Sequence, residues 1–326
     1  MQSHLAIGGL VAVLVLLSGT PLAAQTDRRD RRLPMAPNRP AGEAVSPFLE
    51  GWYANPDGTY TFSLGYFNFN TEETLEIPLG PNNFIEPAEF DGNQPTLFPG
   101  PTGGAQRRSR GYNRHERGVF TVTVPAEYGD GRESIVWTLR VHEETHTLEA
   151  HIGAKQLQLD YGPRAMGSVP PLLAFEEEGS QGQHPTGITL EETLATSVGR
   201  PLTMTVWVRD PSERLREALA ELYEEVPLRL TWFTHQSPVG ADVVFNRVGE
   251  PWRMPDEGAE SKDEDRLGPF QDRVAPSGGQ SNVTATFSEP GDYVLRVRAD
   301  NWSAHDSSPD DQCCWTNGYV NVRVAR

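Results

Sequence analysis

Apolar and polar side chains alternate with a period of two through much of this 326-residue chain, the spacing of strands that cover one face and open the other. The clearest case is the last stretch, Asp292 to Arg326. Tyr293, Leu295 and Val297 alternate there with Val294, Arg296 and Arg298, and Val320, Val322 and Val324 alternate with Asn321 and Arg323. These runs predict a closing hairpin with its valine rows buried and its polar rows in water. The segment between them, Asp300 to Gly318, is longer than an ordinary hairpin turn.

The same patterning appears upstream. Glu50 to Tyr53 and Tyr60 to Phe67 flank Asn55-Pro56-Asp57-Gly58, a hairpin with turn residues between aromatic strands. Leu75–Leu79, Val119–Val124, Ile135–Val141 and Leu148–Ile152 continue the series, with a Pro- and Gly-rich loop from Glu86 to Gly118. A second series begins at Ile188–Leu194 and runs through Leu202–Val208, Leu228–Phe233, Asp242–Phe245 and Val283–Phe287, with the charged, Pro-rich stretch Gly249–Gly279 read as a surface loop or a partly disordered insertion. One helix interrupts it: Asp210 caps, Pro211 opens, Leu215, Leu219, Leu222 and Val226 line one face, and Pro227 closes. The fold class predicted is all-β, two β-sandwich-type domains in tandem (47–161 and 188–326) joined by a linker (162–187), the second with one inserted helix.

Pro290-Gly291-Asp292-Tyr293 resembles the entry to the penultimate strand of immunoglobulin-like and PKD-like domains, in which a Tyr anchors the corner. Gly199-Arg200-Pro201 followed by Leu202–Val208 is similar to early strands of the same class. The resemblance spans Ile188 to Arg326 and rests on generic motifs. It implies a bacterial secreted or surface β-sandwich.

Residues 1–24 contain no Asp, Glu, Lys or Arg, and the apolar run Leu5 to Leu17 is short for a bilayer span. Small residues precede Gln25, so a signal peptide cleaved after Ala24 is expected, followed by an Arg- and Pro-rich flexible leader over residues 25–46. The mature chain is then secreted, periplasmic or extracellular, with no transmembrane segment. A formal net charge of −17 argues against nucleic acid as a partner, because its phosphates would be repelled.

Three features carry candidate chemistry. His142-Glu143-Glu144-Thr145-His146 matches H-E-x-x-H, in which one helical turn sets two zinc-binding His beside a catalytic Glu. Strand-like alternation on both sides places it instead at a hairpin tip. Cys313 and Cys314 are adjacent, and two readings stay open: a vicinal bridge that stiffens the loop, or two thiols facing opposite ways. Asp300, Trp302, Asp310, Asp311 and Trp315 gather in the long loop as a binding surface for a protein or glycan ligand. No cofactor is expected; the ions left open are Ca²⁺ at the acidic loop and Zn²⁺ at the His pair.

The leading expectation is a secreted, non-catalytic binding or structural protein of cell-surface type. The alternatives are a zinc metallopeptidase-like hydrolase using His142, Glu143 and His146, and a carbohydrate-binding accessory module using Trp302 and Trp315.

Overall fold

The fold is taken from a computed structural model that describes residues 39–70, 72–100, 115–153, 155–159, 168–213, 227–250, 252, 271–301 and 314–326. In the first half the strands are β1 (Val45–Ala54), β2 (Tyr60–Asn68), β3 (Leu75–Glu76), β4 (Asn83–Glu86), β5 (Leu97–Phe98), β6 (His115–Val124), β7 (Ser134–Val141) and β8 (Glu144–His151). They form a sheet ordered β1-β2-β6, a second ordered β4-β7-β8, and the short pair β3-β5. Phe62, Leu64, Phe120 and Val122 from the first sheet bury against Ile85, Ile135, Trp137 and Leu139 from the second. Trp137 lies edge-on to Phe120 and donates its indole N–H to Asn83 Oδ1 at 3.1 Å, so its polar atom is satisfied inside the core.

The second half adds β9 (Leu172–Ala174), β10 (Ile188–Thr189), β11 (Leu194–Ser197), β12 (Leu202–Arg209), β13 (Leu228–Gln236), β14 (Val243–Arg247), β15 (Gln271–Val274), β16 (Gly279–Phe287), β17 (Gly291–Asp300) and β18 (Trp315–Ala325). One sheet runs β10-β18-β17-β13-β15, with β11 also on β18, and the other runs β14-β16-β12-β9. The closing hairpin pairs ten residues of β17 with β18, from Gly291↔Val324 to Asp300↔Trp315. The rows foreseen as buried, Tyr293, Leu295 and Val297 with Val320, Val322 and Val324, meet Val206, Val283 and Phe287 of the facing sheet. Tyr293 donates its hydroxyl to Glu289 O at 2.6 Å, the corner-anchoring bond that its position implied. The molecule is all-β, with two such sandwich cores.

Several boundaries differ from the sequence reading. The turn after Glu86 is no simple loop, since it contains β5 and a short 3-10 turn at Ala88–Phe90, and β6 begins well before Val119. Leu172–Ala174, expected in a linker, pair with Trp207–Arg209 as an edge strand. The charged stretch 249–279 contributes β15, which pairs Gln271–Val274 with Leu228–Thr231. Ala44 and Val45, expected in a flexible leader, are buried. The helix foreseen after Pro211 lies outside the described residues beyond Glu213, although Asp210 Oδ1 does accept the Ser212 N–H at 3.0 Å in the manner of a cap.

Candidate functional site

The zincin-like letters are spent on a turn. Val141 pairs with Glu144, leaving His142 and Glu143 as a two-residue loop with φ of 49° and 65°. Two consecutive positive φ values are the signature of a type I′ turn, whose hand matches the twist of the flanking strands. An α-helical turn through these residues is therefore absent, and with it the geometry that would aim both His at one ion. His142 Nε2 faces Glu73 Oε2 at 3.9 Å, while His146 Nε2 sits 3.1 Å from Glu144 Oε2. Each ring has its own carboxylate, and neither is Glu143. Among the described residues no group of three or more His, Cys, Asp or Glu is disposed to hold a metal ion.

This turn carries an expected result. His and Glu at φ > 0 pay a backbone cost that Asn and Gly avoid. Replacing His142-Glu143 by Asn-Gly is expected to raise stability by about 1 kcal/mol in guanidinium unfolding. A lower midpoint would show that these side chains hold something the turn geometry does not explain.

The candidate binding residues divide three ways. Trp302, Asp310, Asp311 and Cys313 lie outside the described residues. Asp300 is not a loop carboxylate facing solvent: it ends β17, is fully buried, and accepts from Arg229 Nη2 at 3.0 Å and Nε at 3.3 Å, with Arg298 Nε 3.7 Å away. Trp315 is fully buried as well, so its ring has no face to offer a glycan from solvent. Cys314 is disulfide-bonded. Its side chain packs with Leu159 and against Tyr53.

What joins Trp315 and Asp300 is the polar face of the β17–β18 hairpin. Alternation assigned Arg296, Arg298, Asn321 and Arg323 to water; Arg323 is exposed as expected, but Arg296 is 2% exposed and Arg298 7%, and Asn317, expected in the long loop, is 0%. The first half covers it. Trp315, Asn317 and Tyr319 share one face of β18, and all three donate to the backbone of β6. Trp315 Nε1 reaches Gly118 O at 3.3 Å, Asn317 Nδ2 reaches the same oxygen at 2.6 Å, and the Tyr319 hydroxyl reaches Val119 O at 2.9 Å. Arg296 lies over the Phe233 ring at 4.2 Å and donates to Asn317 Oδ1 at 3.3 Å.

Three β-bulges make this joint. Between Glu116 and Phe120, β6 takes four steps where β2 takes two, from Tyr66 to Leu64. The bulge turns the Gly118 carbonyl toward β18. It also opens space for the indole, because a Cβ on Gly118 (φ 51°) would lie 2.1 Å from Trp315 Nε1. On the other edge of β2 a second bulge falls between Leu49 and Gly51, and the extra residue is Glu50. Glu50, at the β1 bulge, and Arg117, at the β6 bulge, then form a two-pronged ion pair, Nε–Oε2 2.9 Å and Nη2–Oε1 2.8 Å. Burial pushes the Glu50 carboxyl up from its usual range, against the pull of Arg117.

The third bulge, between Thr234 and Gln236 on β13, displaces His235 toward the first half. Its Nε2 lies 2.8 Å from Asn93 O, and Gln236 Nε2 donates to Gly92 O and Gln94 O at 2.8 Å each. Thr96 N–H donates back to His235 O at 2.8 Å. Nε2 must therefore carry the proton of a neutral ring. Burial, with the nearby Arg296 charge, pushes the imidazole from 6.5 down to about 3 despite the bond to Asn93.

The pH consequence has a definite sign. Between about pH 3 and 6.5 the unfolded chain binds a proton at this ring that the native chain refuses, so the stability is whole above pH 6.5 and lost as the pH falls, by about 1.4 kcal/mol per unit. In His235→Gln that component disappears, and its unfolding midpoint is expected to depend less steeply on pH than the parent's between about pH 4.5 and 7. Parallel curves would mean that the ring is protonated in place.

Period-two reasoning missed Glu50, Arg117, Gly118 and His235 because a bulge breaks the period that it relies on. The signals present were a Gly inside a strand run and charged residues beside aromatic strands.

No protein-family profile and no curated protein matches the chain. Among solved structures it is similar to domains 4 and 5 of the S-layer protein SbsC at 10% identity and TM-score 0.20, covering 60% of this chain and 66% of that one, just under two thirds. It is also similar to the titin A168–169 fragment (10% identity, TM-score 0.22, 86% and 100%) and to the C-terminal domain of the Streptococcus pyogenes antigen I/II-family protein AspA (10%, 0.21, 62% and 58%). Likenesses this distant fix no function. The class defined by the chain's own geometry is a pair of β-sandwich cores clamped face to edge through a buried polar joint.

Proposed function

We propose that this is an exported, non-catalytic protein of extracellular structural or binding type, in which the two sandwiches act as one rigid body. The observation that carries the reading is the fate of its conspicuous residues: the catalytic-looking motif is a type I′ turn, Trp315, Asn317 and Tyr319 are consumed by the joint, and Asp300 is consumed by a buried pair with Arg229 inside the second half. A chain that commits its aromatic and charged side chains to fixing two sheets against each other is built for mechanical constancy more than for turnover. Export is supported by the uncharged apolar N-terminal segment, and the acidic balance suits a protein kept soluble outside the cell. Among the described residues no helix is long and apolar enough to cross a membrane.

The test is mass analysis of the protein made with its own N-terminus in a bacterial host and recovered from periplasm and medium. A mature chain beginning at Gln25 is expected, with one cooperative unfolding transition. An uncleaved cytoplasmic chain would overturn the export reading, and stoichiometric zinc lost in His146→Ala together with peptidase activity would overturn the non-catalytic one.

A further inference from the structure

Beside the joint, where the two halves do not quite close, lies a cleft of about 290 Å³. Its lining comes from the 92–93 loop and β6 of the first half and from Thr186, Thr189, β13, β17 and β18 of the second. That volume is at the lower limit of small-molecule sites, which favour such domain junctions. The lining is uncharged and mixed, with Phe120 and Val294 as apolar patches and the neutral His235 ring among polar groups. It includes Thr121, Thr186, Thr189, Gln236, Tyr319 and Asn321, and no Asp, Glu, Lys or Arg, in a chain that carries 45 acidic and 28 basic residues. So neutral a lining in so charged a protein favours ligands that bring no charge.

The lining is also divided between groups that build the walls and groups left over. Tyr319, Gln236 and Thr186 are occupied, bonded to Val119 O, to Gly92 O and Gln94 O, and to the Tyr53 hydroxyl. Among the described residues no hydrogen bond ties up the side chains of Thr121, Thr189 or Asn321, and these come from three different parts of the chain. Hydroxyl and amide groups on a rigid frame, each able to donate and accept, match a ligand dense in hydroxyls. Arg296 stands behind the wall, stacked on Phe233 and bonded to Asn317, and does not line the cleft.

We propose that this cleft binds a neutral, hydroxyl-rich ligand of about one sugar unit, such as the end or a single residue of a glycan. The proposal rests on the reading of an exported binding protein and supplies its ligand class. It also moves the glycan-binding surface from the loop tryptophans to the threonine- and asparagine-lined cleft between the sandwiches.

The test is a titration of the full mature chain, by calorimetry and ligand-observed NMR, with neutral hexoses, N-acetylhexosamines and their disaccharides, and in parallel with glucuronate and inorganic phosphate. Saturable binding of a neutral sugar is expected. The Thr121→Val and Asn321→Leu substitutions remove left-over polar groups without touching a wall-building bond, and each is expected to weaken binding about tenfold with unfolding midpoints unchanged. Thr189→Trp, which puts a bulky ring on a lining position, is expected to abolish it. Binding of glucuronate or phosphate alone, neutral-sugar binding indifferent to all three variants, or a folded, exported chain that binds no sugar would each overturn the proposal. The last result leaves the export reading standing, whereas an uncleaved cytoplasmic chain that still binds sugar would fail that reading and spare this one.

Discussion

Gly118→Ala is expected to destabilise the protein by about 3 kcal/mol or more, an outsized effect for one methyl group. Two costs add. At φ 51° an alanine adopts a left-handed conformation that disfavours any Cβ, and that Cβ would fall 2.1 Å from Trp315 Nε1 and 2.3 Å from two ring carbons. The indole cannot withdraw freely, because its N–H is held on Gly118 O and its ring has no exposure. Trp315→Ala alone should cost about 3–5 kcal/mol through the cavity it leaves. In the double variant the steric part vanishes, so the combined loss should be well below the sum of the two single losses. Guanidinium unfolding of the four proteins gives this directly. Strict additivity would show that the ring does not occupy the β6 bulge.

The second large effect is at Asp300. A carboxylate with no exposure, held by Arg229 and near Arg298, leaves two guanidinium groups facing each other when it is removed. Breaking a buried pair from one side typically costs about 3–5 kcal/mol, and because Arg229 keeps 25% of its side chain exposed the lower end is expected for Asp300→Ala. Arg229→Ala in the same background should recover part of the loss, since it removes one of the two positive charges beside the vacated carboxylate position. An Asp300→Ala protein as stable as the parent, but with a changed response to Ca²⁺, would return this residue to the ligand surface where sequence reasoning had put it.

The error at Asp300 and Asn317, read as loop residues although the ladder runs on to Asp300↔Trp315, differs in origin from the one at Arg296 and Arg298. A strand's alternation reports that its two faces differ, and the inference that the polar face meets water is an addition to it. Here the polar face meets another part of the chain. Backbone carbonyls exposed by the β6 bulge accept from Trp315, Asn317 and Tyr319, so these three side chains bury at little cost because each of their donors finds an acceptor. By contrast, the H-E-x-x-H letters were legible. The alternating runs on either side of them forced a turn, and the turn is a two-residue one with both central φ positive.

Local information was sufficient wherever the physics was local. Turn residues such as Asn55-Pro56-Asp57-Gly58, the valine rows of the closing hairpin and the Tyr293 corner each follow from interactions within a few positions or across one ladder, and all-β architecture follows from their sum. The bulges at Glu50, at Gly118 and at His235 did not follow, and neither did the joint. An inserted residue has no preferred sign in one strand's sequence, and it is stable here because a partner more than 60 positions away in each case fills or bonds to what it exposes: Arg117 for Glu50, Trp315 for Gly118, Asn93 for His235. Such pairings are chosen when the two sheets meet. Tertiary contact therefore decided which polar residues face water and where an unfilled cleft was left.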